Sequence, residues 1–242
     1  MPAPMNALLA FATAAGIISG SAVAYEAVRH QERVVAALGD DAAIAPKRLI
    51  IGLDISKSNP LVDNPAFAAK VGARIAAMVE KLGMASEVHV RTFGSYDAGS
   101  NSFYYDAVIS IRNRPEHAAA EIRKLISGTP YLVRTGKWVS QQNTNILAFL
   151  DNISQSIGCA GMPTQVILAS DGVEDSEYVR LQQTGTHLPA PGGKPFRGCG
   201  EMQILGLGQG TKSPMMTTRL RDEWSKWAWR AGFTHFTGLN DW

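Results

Sequence analysis

The sequence predicts an α/β fold with a mostly parallel central sheet flanked by helices, and three observations carry that reading. The apolar blocks at residues 48–54, 165–172 and 202–208 are continuous rather than alternating, as strands buried on both faces are. Segments with helical spacing separate them, so strands and helices alternate along the chain. The first two blocks run into acidic residues, Asp54 and Asp171. In open α/β sheets, the carboxyl ends of strands are where ligands bind.

The elements follow in order. Residues 25–38 place Ala27, Val28, Val34, Val35 and Leu38 among Glu26, Arg29, Glu32 and Arg33, a helical pattern that Gly39 stops. A linker at 40–46 leads to the first strand. Asn64-Pro65 opens a helix carrying Phe67, Val71, Ile75, Met78, Val79 and Leu82, and Gly83 closes it. Residues 88–94 alternate as a strand, and 103–111 read as another, joined by a link short enough to predict an antiparallel pair. Residues 115–126 form a helix ended by Ser127-Gly128. A polar loop then reaches Asn143-Thr144, which cap a helix with Ile146, Leu147, Leu150 and Ile153. Residues 174–200, with Pro189, Pro191, Gly192, Gly193 and Pro195, read as an elaborated loop. In the helix at 219–230, Trp224 and Trp227 share a face with Leu220 and Ala231 and are expected in the core. Trp229 falls off that face and is available to a partner.

Composition excludes several classes. The chain has 242 residues, 45% hydrophobic and 18% charged, with a net charge of +2. That is neither a disordered polymer nor a basic nucleic-acid binder, and no run of five like charges occurs. Two cysteines, Cys159 and Cys199, are too few for a four-cysteine zinc site. Gly206, Gly208 and Gly210 follow a strand, but Thr211 stands where a dinucleotide loop needs its third spaced glycine, so a glycine turn is expected. His89, His117, His187 and His235 have no paired spacing or carboxylate neighbour in sequence and read as structural or surface residues. Glu174 and Asp175 read as a solvated loop.

Residues 1–25 hold no charged side chain, and 7–25 give 19 uncharged residues, about the length of a membrane span. Alanine, Gly16, Ser19, Gly20 and Ser21 dilute it. Three fates are open: a retained anchor, which leads; a cleaved signal ending in the small-x-small run at 19–24; and a helix buried in a soluble fold. Arg29, Arg33, Lys47 and Arg48 after the segment favour a cytoplasmic body by the positive-inside tendency. The expected organisation is a hydrophobic segment at 1–25, a helical stalk and linker at 26–47, and the α/β domain at 48–242.

Asp54, Ser56, Ser58, Thr144 and Asp171 are hard-oxygen donors on three loop regions. Singly, Asp54 reads as a turn residue or cap and Thr144 as a helix N-cap. Together on one rim they would suit Mg²⁺ better than a soft metal. With these residues in this order, the chain from about residue 48 onward resembles a von Willebrand factor type A domain with a metal ion-dependent adhesion site. The D-x-S-x-S pattern is Asp54, Ser56 and Ser58, the isolated threonine is Thr144, and the second aspartate is Asp171. Lys57 stands where a small residue is usual, and Asn59-Pro60 where a methionine is common.

The resemblance implies a Rossmann-like fold and Mg²⁺ or Mn²⁺ held by the Ser56, Ser58 and Thr144 hydroxyls, with Asp54 and Asp171 bound directly or through water. It implies a protein partner presenting Asp or Glu, and no catalysis. It also places Cys159 and Cys199 at the same end of adjacent strands, opposite the metal rim, either bridged or as two buried thiols. A bridge would imply an oxidising compartment and tips the expected location to the outer side of a membrane, tethered through residues 7–25, or to export. The rival readings are a cytoplasmic scaffold with incidental metal and a Mg²⁺-dependent phosphoryl-transfer hydrolase with Asp54 as nucleophile. Residues 174–200 and 95–102 are the expected partner-specific loops. The oligomeric state is left open.

Overall fold

The computed structural model describes residues 44–95, 103–211 and 213–242. The hydrophobic segment at 1–25, the helix at 25–38 and nearly all of the 95–102 loop therefore lie outside the described residues. Six strands form one sheet: β1 (Arg48–Asp54), β2 (Glu87–Phe93), β3 (Tyr104–Val108), β4 (Thr164–Ala169), β5 (Cys199–Leu205) and β6 (His235–Leu239), in the spatial order β3-β2-β1-β4-β5-β6. Every neighbouring pair is parallel except β2 and β3, which are antiparallel as the short link between them predicts. This is a doubly wound α/β architecture, and its strand order reverses between β1 and β4.

The helices are α1 (Pro60–Asp63), α2 (Pro65–Val79), α3 (Pro115–Ser127), α4 (Thr129–Arg134), α5 (Ile146–Ser156) and α6 (Pro214–Ala231). They cover both faces of the sheet, which is why the central strands are apolar throughout. On one face Ile50, Val166, Leu168, Met202 and Ile204 pack with Leu150 and Ile153 of α5 and Trp224 and Trp227 of α6. On the other, Ile51, Leu53, Val88, Val90 and Ile167 pack with Val71 and Ile75 of α2 and Ile122 and Ile126 of α3. Gly52 lets α5 approach β1 closely, since a Cβ there would lie 2.7 Å from the Phe149 ring.

Two local expectations need correction, and a third gains detail. The stretch read as a polar loop after residue 128 contains α4, started by Pro130 in its first turn. The cap of α5 is Asn145, whose side chain accepts from Ala148 N at 2.9 Å, so Thr144 is not the cap. The segment at 174–200 is irregular as expected, but Leu181 and Phe196 are buried in the α5–α6 core. Glu223 of α6 also holds this segment, accepting from Leu188 N at 3.0 Å and pairing with His187 Nδ1 at 2.9 Å. Trp224 and Trp227 are in the core, while Trp229 is 75% exposed.

Cys159 and Cys199 form a disulfide with Cα atoms 5.2 Å apart, joining the turn before β4 to the first residue of β5. The bridge closes a loop across a sequence separation of 40. Replacing both cysteines by serine is expected to cost about 3–4 kcal/mol by loop-closure entropy. A lower urea midpoint under non-reducing conditions checks this, and an unchanged midpoint would show the bridge to be energetically idle.

Candidate metal centre

Parallel pairing of β1 with β4 sets the end of β1 beside the loop after β4, and each strand end delivers its acidic residue to the same rim. Asp54 is the last residue of β1 and is fully buried. Its Oδ1 accepts from Ser56 N at 2.9 Å, which bends the chain into the serine loop, and its Oδ2 accepts from Ser170 Oγ at 2.7 Å. Asp171 folds back locally: Oδ1 accepts from Val173 N at 2.9 Å, while Gly172 N donates to Ser170 Oγ at 3.0 Å. Gly172 has φ +73°, and a Cβ on it would lie 2.4 Å from Leu207, so this turn needs glycine. Trp224 Nε1 anchors the turn from α6 by donating to Gly172 O at 2.7 Å.

The hydroxyls gather on the same rim. Ser56 Oγ and Ser58 Oγ are 3.4 Å apart, the first residue buried and the second exposed. The serine loop pairs with the chain leading to Thr144: Lys57 N donates to Gln141 O at 2.8 Å and Gln141 N to Ile55 O at 2.9 Å. Thr144 is buried and exchanges backbone hydrogen bonds with Asp175, at 3.2 and 2.9 Å. All three segments expected at the rim therefore meet there through backbone pairing.

The electrostatics are those of a site short of positive charge. Burial pushes Asp54 up to about 6, against the hydrogen bonds from Ser170 and Ser56. Burial pushes Asp171 up to about 7, and the Asp54 charge adds to it. Two neighbouring buried carboxylates disfavour each other's ionisation. A divalent cation would relieve that repulsion, and the donor set of carboxylate and hydroxyl oxygens fits a hard ion. Among the described residues, no three His, Cys, Asp or Glu side chains converge as a metal-binding group, so a cation here would depend on the hydroxyls.

Three residues the sequence reading did not assign also build the rim. Ser170 holds Asp54, and its signal was a hydroxyl directly before the strand-end aspartate. Asn59, read only as a departure from the type A pattern, is buried; its Nδ2 donates to Asp54 O at 2.8 Å and to Ala169 O at 3.1 Å, clamping the ends of β1 and β4 together. Glu174, expected in a solvated loop, is instead fully buried. Its Oε2 accepts from Ile146 N at 2.8 Å and Leu147 N at 3.2 Å, and burial pushes its carboxyl up to about 8. Asp175 is partly buried and pairs with Arg180 as well as Thr144. His89 likewise has carboxylate neighbours after all, Asp106 at 2.6 Å and Glu87 at 3.3 Å, supplied across strands and along β2. They tie the edge strands together away from the rim.

The chain has a mixed α/β architecture, a six-stranded and mostly parallel sheet flanked by helices, consistent with a Rossmann-like type A fold. No protein-family model and no curated protein matches the sequence. Among solved structures it is similar to the open conformation of the pilus adhesin SpaC from Lactobacillus rhamnosus GG, at 14% identity and a TM-score of 0.46, over 82% of this chain and 28% of that one. It is also similar to the conserved hypothetical protein BatB from Bacteroides thetaiotaomicron, at 15% identity and a TM-score of 0.41, over 81% of this chain and 91% of that one. Manganese-loaded TRAP protein from Plasmodium vivax is similar at 15% identity and a TM-score of 0.39, over 74% of this chain and 63% of that one.

Asn59→Ala strands two buried carbonyls and should cost about 2–3 kcal/mol in denaturant unfolding; a cost below 0.5 kcal/mol would mean the clamp is replaceable by water. Asp54, Asp171 and Glu174 hold their protons to higher pH folded than unfolded, so the folded state binds more protons through this range. Without divalent cations, stability should fall as pH rises from about 4, where free carboxyls ionise, through about 8, where Glu174 does. Thermal melts in chelator check the slope, which Asp171→Asn should reduce.

Proposed function

We propose that this chain is a protein-binding module in which Asp54, Ser56, Ser58, Thr144 and Asp171 hold Mg²⁺ or Mn²⁺ and engage an acidic side chain of a partner. The observation that carries the reading is the rim itself: two buried carboxylates that form no ion pair among the described residues, on the same rim as the serine and threonine hydroxyls. When bound, a divalent cation there supplies an electrophilic position for a carboxylate oxygen. The chain's own residues do the rest. Asp54 and Asp171 supply the negative charge, and their hydrogen bonds to Ser170 and Val173 keep them from swinging away. Lys57 and Ser58 are exposed at the rim, and a cationic side chain there suits an acidic partner.

The binding reading is preferred to phosphoryl transfer on a specific ground. A nucleophilic carboxylate needs an oxygen free to attack, whereas both Asp54 oxygens already accept hydrogen bonds and the residue is fully buried. The disulfide supports an oxidising compartment, outside the cytoplasm, over the cytoplasmic scaffold. No helix of the described residues is long and apolar enough to cross a membrane, so tethering would fall to the segment at 7–25.

Calorimetric titration of Mg²⁺ into the metal-stripped full-length chain tests the proposal. Saturable binding is expected, lost in Asp171→Ala and weakened at least tenfold in Ser56→Ala. Absence of binding to the folded wild-type chain would remove the cation mechanism.

A further inference from the structure

Glu174 has no part in the cation site as described, yet it is the most deeply committed acid next to it. It is fully buried, with the Ser176 side chain against its carboxylate. Its Oε2 takes the amides of Ile146 and Leu147, the first two residues of α5. Helix capping does not by itself require this arrangement. Asn145 already caps α5 through Ala148 N, and an exposed Ser, Asp or Asn can satisfy a first-turn amide without the desolvation of a buried carboxylate.

What Glu174 adds is a link between segments. It follows the Asp171 turn and precedes Asp175, which exchanges backbone hydrogen bonds with Thr144. Thr144 is thus held on one side by Asp175, and the residues after Asn145 are held by Glu174. The loop after β4 grips the chain around Thr144 at two successive residues.

We propose that Glu174 is a positioning residue, clamping the first turn of α5 to the loop after β4 so that the Thr144 hydroxyl stays in register with Asp54 and Asp171. The register matters because Thr144 comes from a different segment than the two carboxylates. Its hydroxyl makes no hydrogen bond among the described residues that would hold it there. Positioning for a cation rests on the metal-site reading above, whereas the clamp itself does not.

The test compares the wild-type full-length chain, Glu174→Ala and Glu174→Gln by Mg²⁺ titration and, without metal, by amide hydrogen exchange at Thr144 and Asp175. The alanine variant is expected to weaken Mg²⁺ binding at least tenfold and to speed exchange at both amides at least tenfold. Exchange at Ile167 and Leu168 in β4 should stay within threefold of wild type. Glutamine, whose side-chain oxygen can accept from both amides, should restore affinity and exchange to within threefold. Unchanged affinity and Thr144 exchange in the alanine variant would overturn the proposal. So would acceleration in β4 equal to that at Thr144, because Glu174 would then serve only global stability. If the wild type binds no Mg²⁺, the cation reading fails, and the exchange measurements decide the clamp independently.

Discussion

Two carboxylates that cannot comfortably ionise together sit at the carboxyl ends of adjacent parallel strands, and much of the architecture around them serves to hold them there. Asp54 ends β1 and Asp171 follows β4, and the pairing of those strands at the reversal of sheet order leaves little distance between them. Both residues are buried, so little water reaches them to screen the repulsion. Protonation relieves that repulsion, and a divalent cation would relieve it in another way.

The supports for the two carboxylates come mainly from neutral hydrogen-bond donors, of side chains as well as backbone. Asn59 donates to the ends of both strands, Trp224 holds the Gly172 turn, and the Gln141 pairing fastens the serine loop to the segment that brings Thr144. Neutral amide and hydroxyl donors stabilise the geometry without cancelling the charge. A lysine or arginine buried in the same place would neutralise the pair and remove its attraction for a cation. The nearest cation in sequence, Lys57, is instead exposed.

The far end of the sheet is held by different means. The disulfide joins the turn before β4 to β5, and Arg48 pairs with Glu87 across β1 and β2 at 2.6 Å. On the edge strands, His89, Arg91 and Asp106 tie β2 to β3. Restraint is thus distributed over both ends, with the covalent link opposite the rim and neutral hydrogen bonds of side chains and backbone at it.

The continuous apolar blocks, their order along the chain and the acidic residues at two of their ends were legible from local pattern alone, because burial on both sheet faces leaves a run of Val, Ile and Leu that no other environment at this length requires. The same pattern marks Asp54 at the end of one apolar block and Asp171 at the end of another, so the two carboxylates proposed as cation donors could be named from sequence. Tertiary structure alone decided which residues clamp the segments of the rim together. Asn59 reaches Ala169 across 110 residues, and Glu174 meets Ile146 across 28. The carboxylates that hold His89 and His187 likewise depend on strand register and on packing against α6. A polar residue in a loop looks solvated in sequence, and only the packing that removes its water determines that it is a clamp.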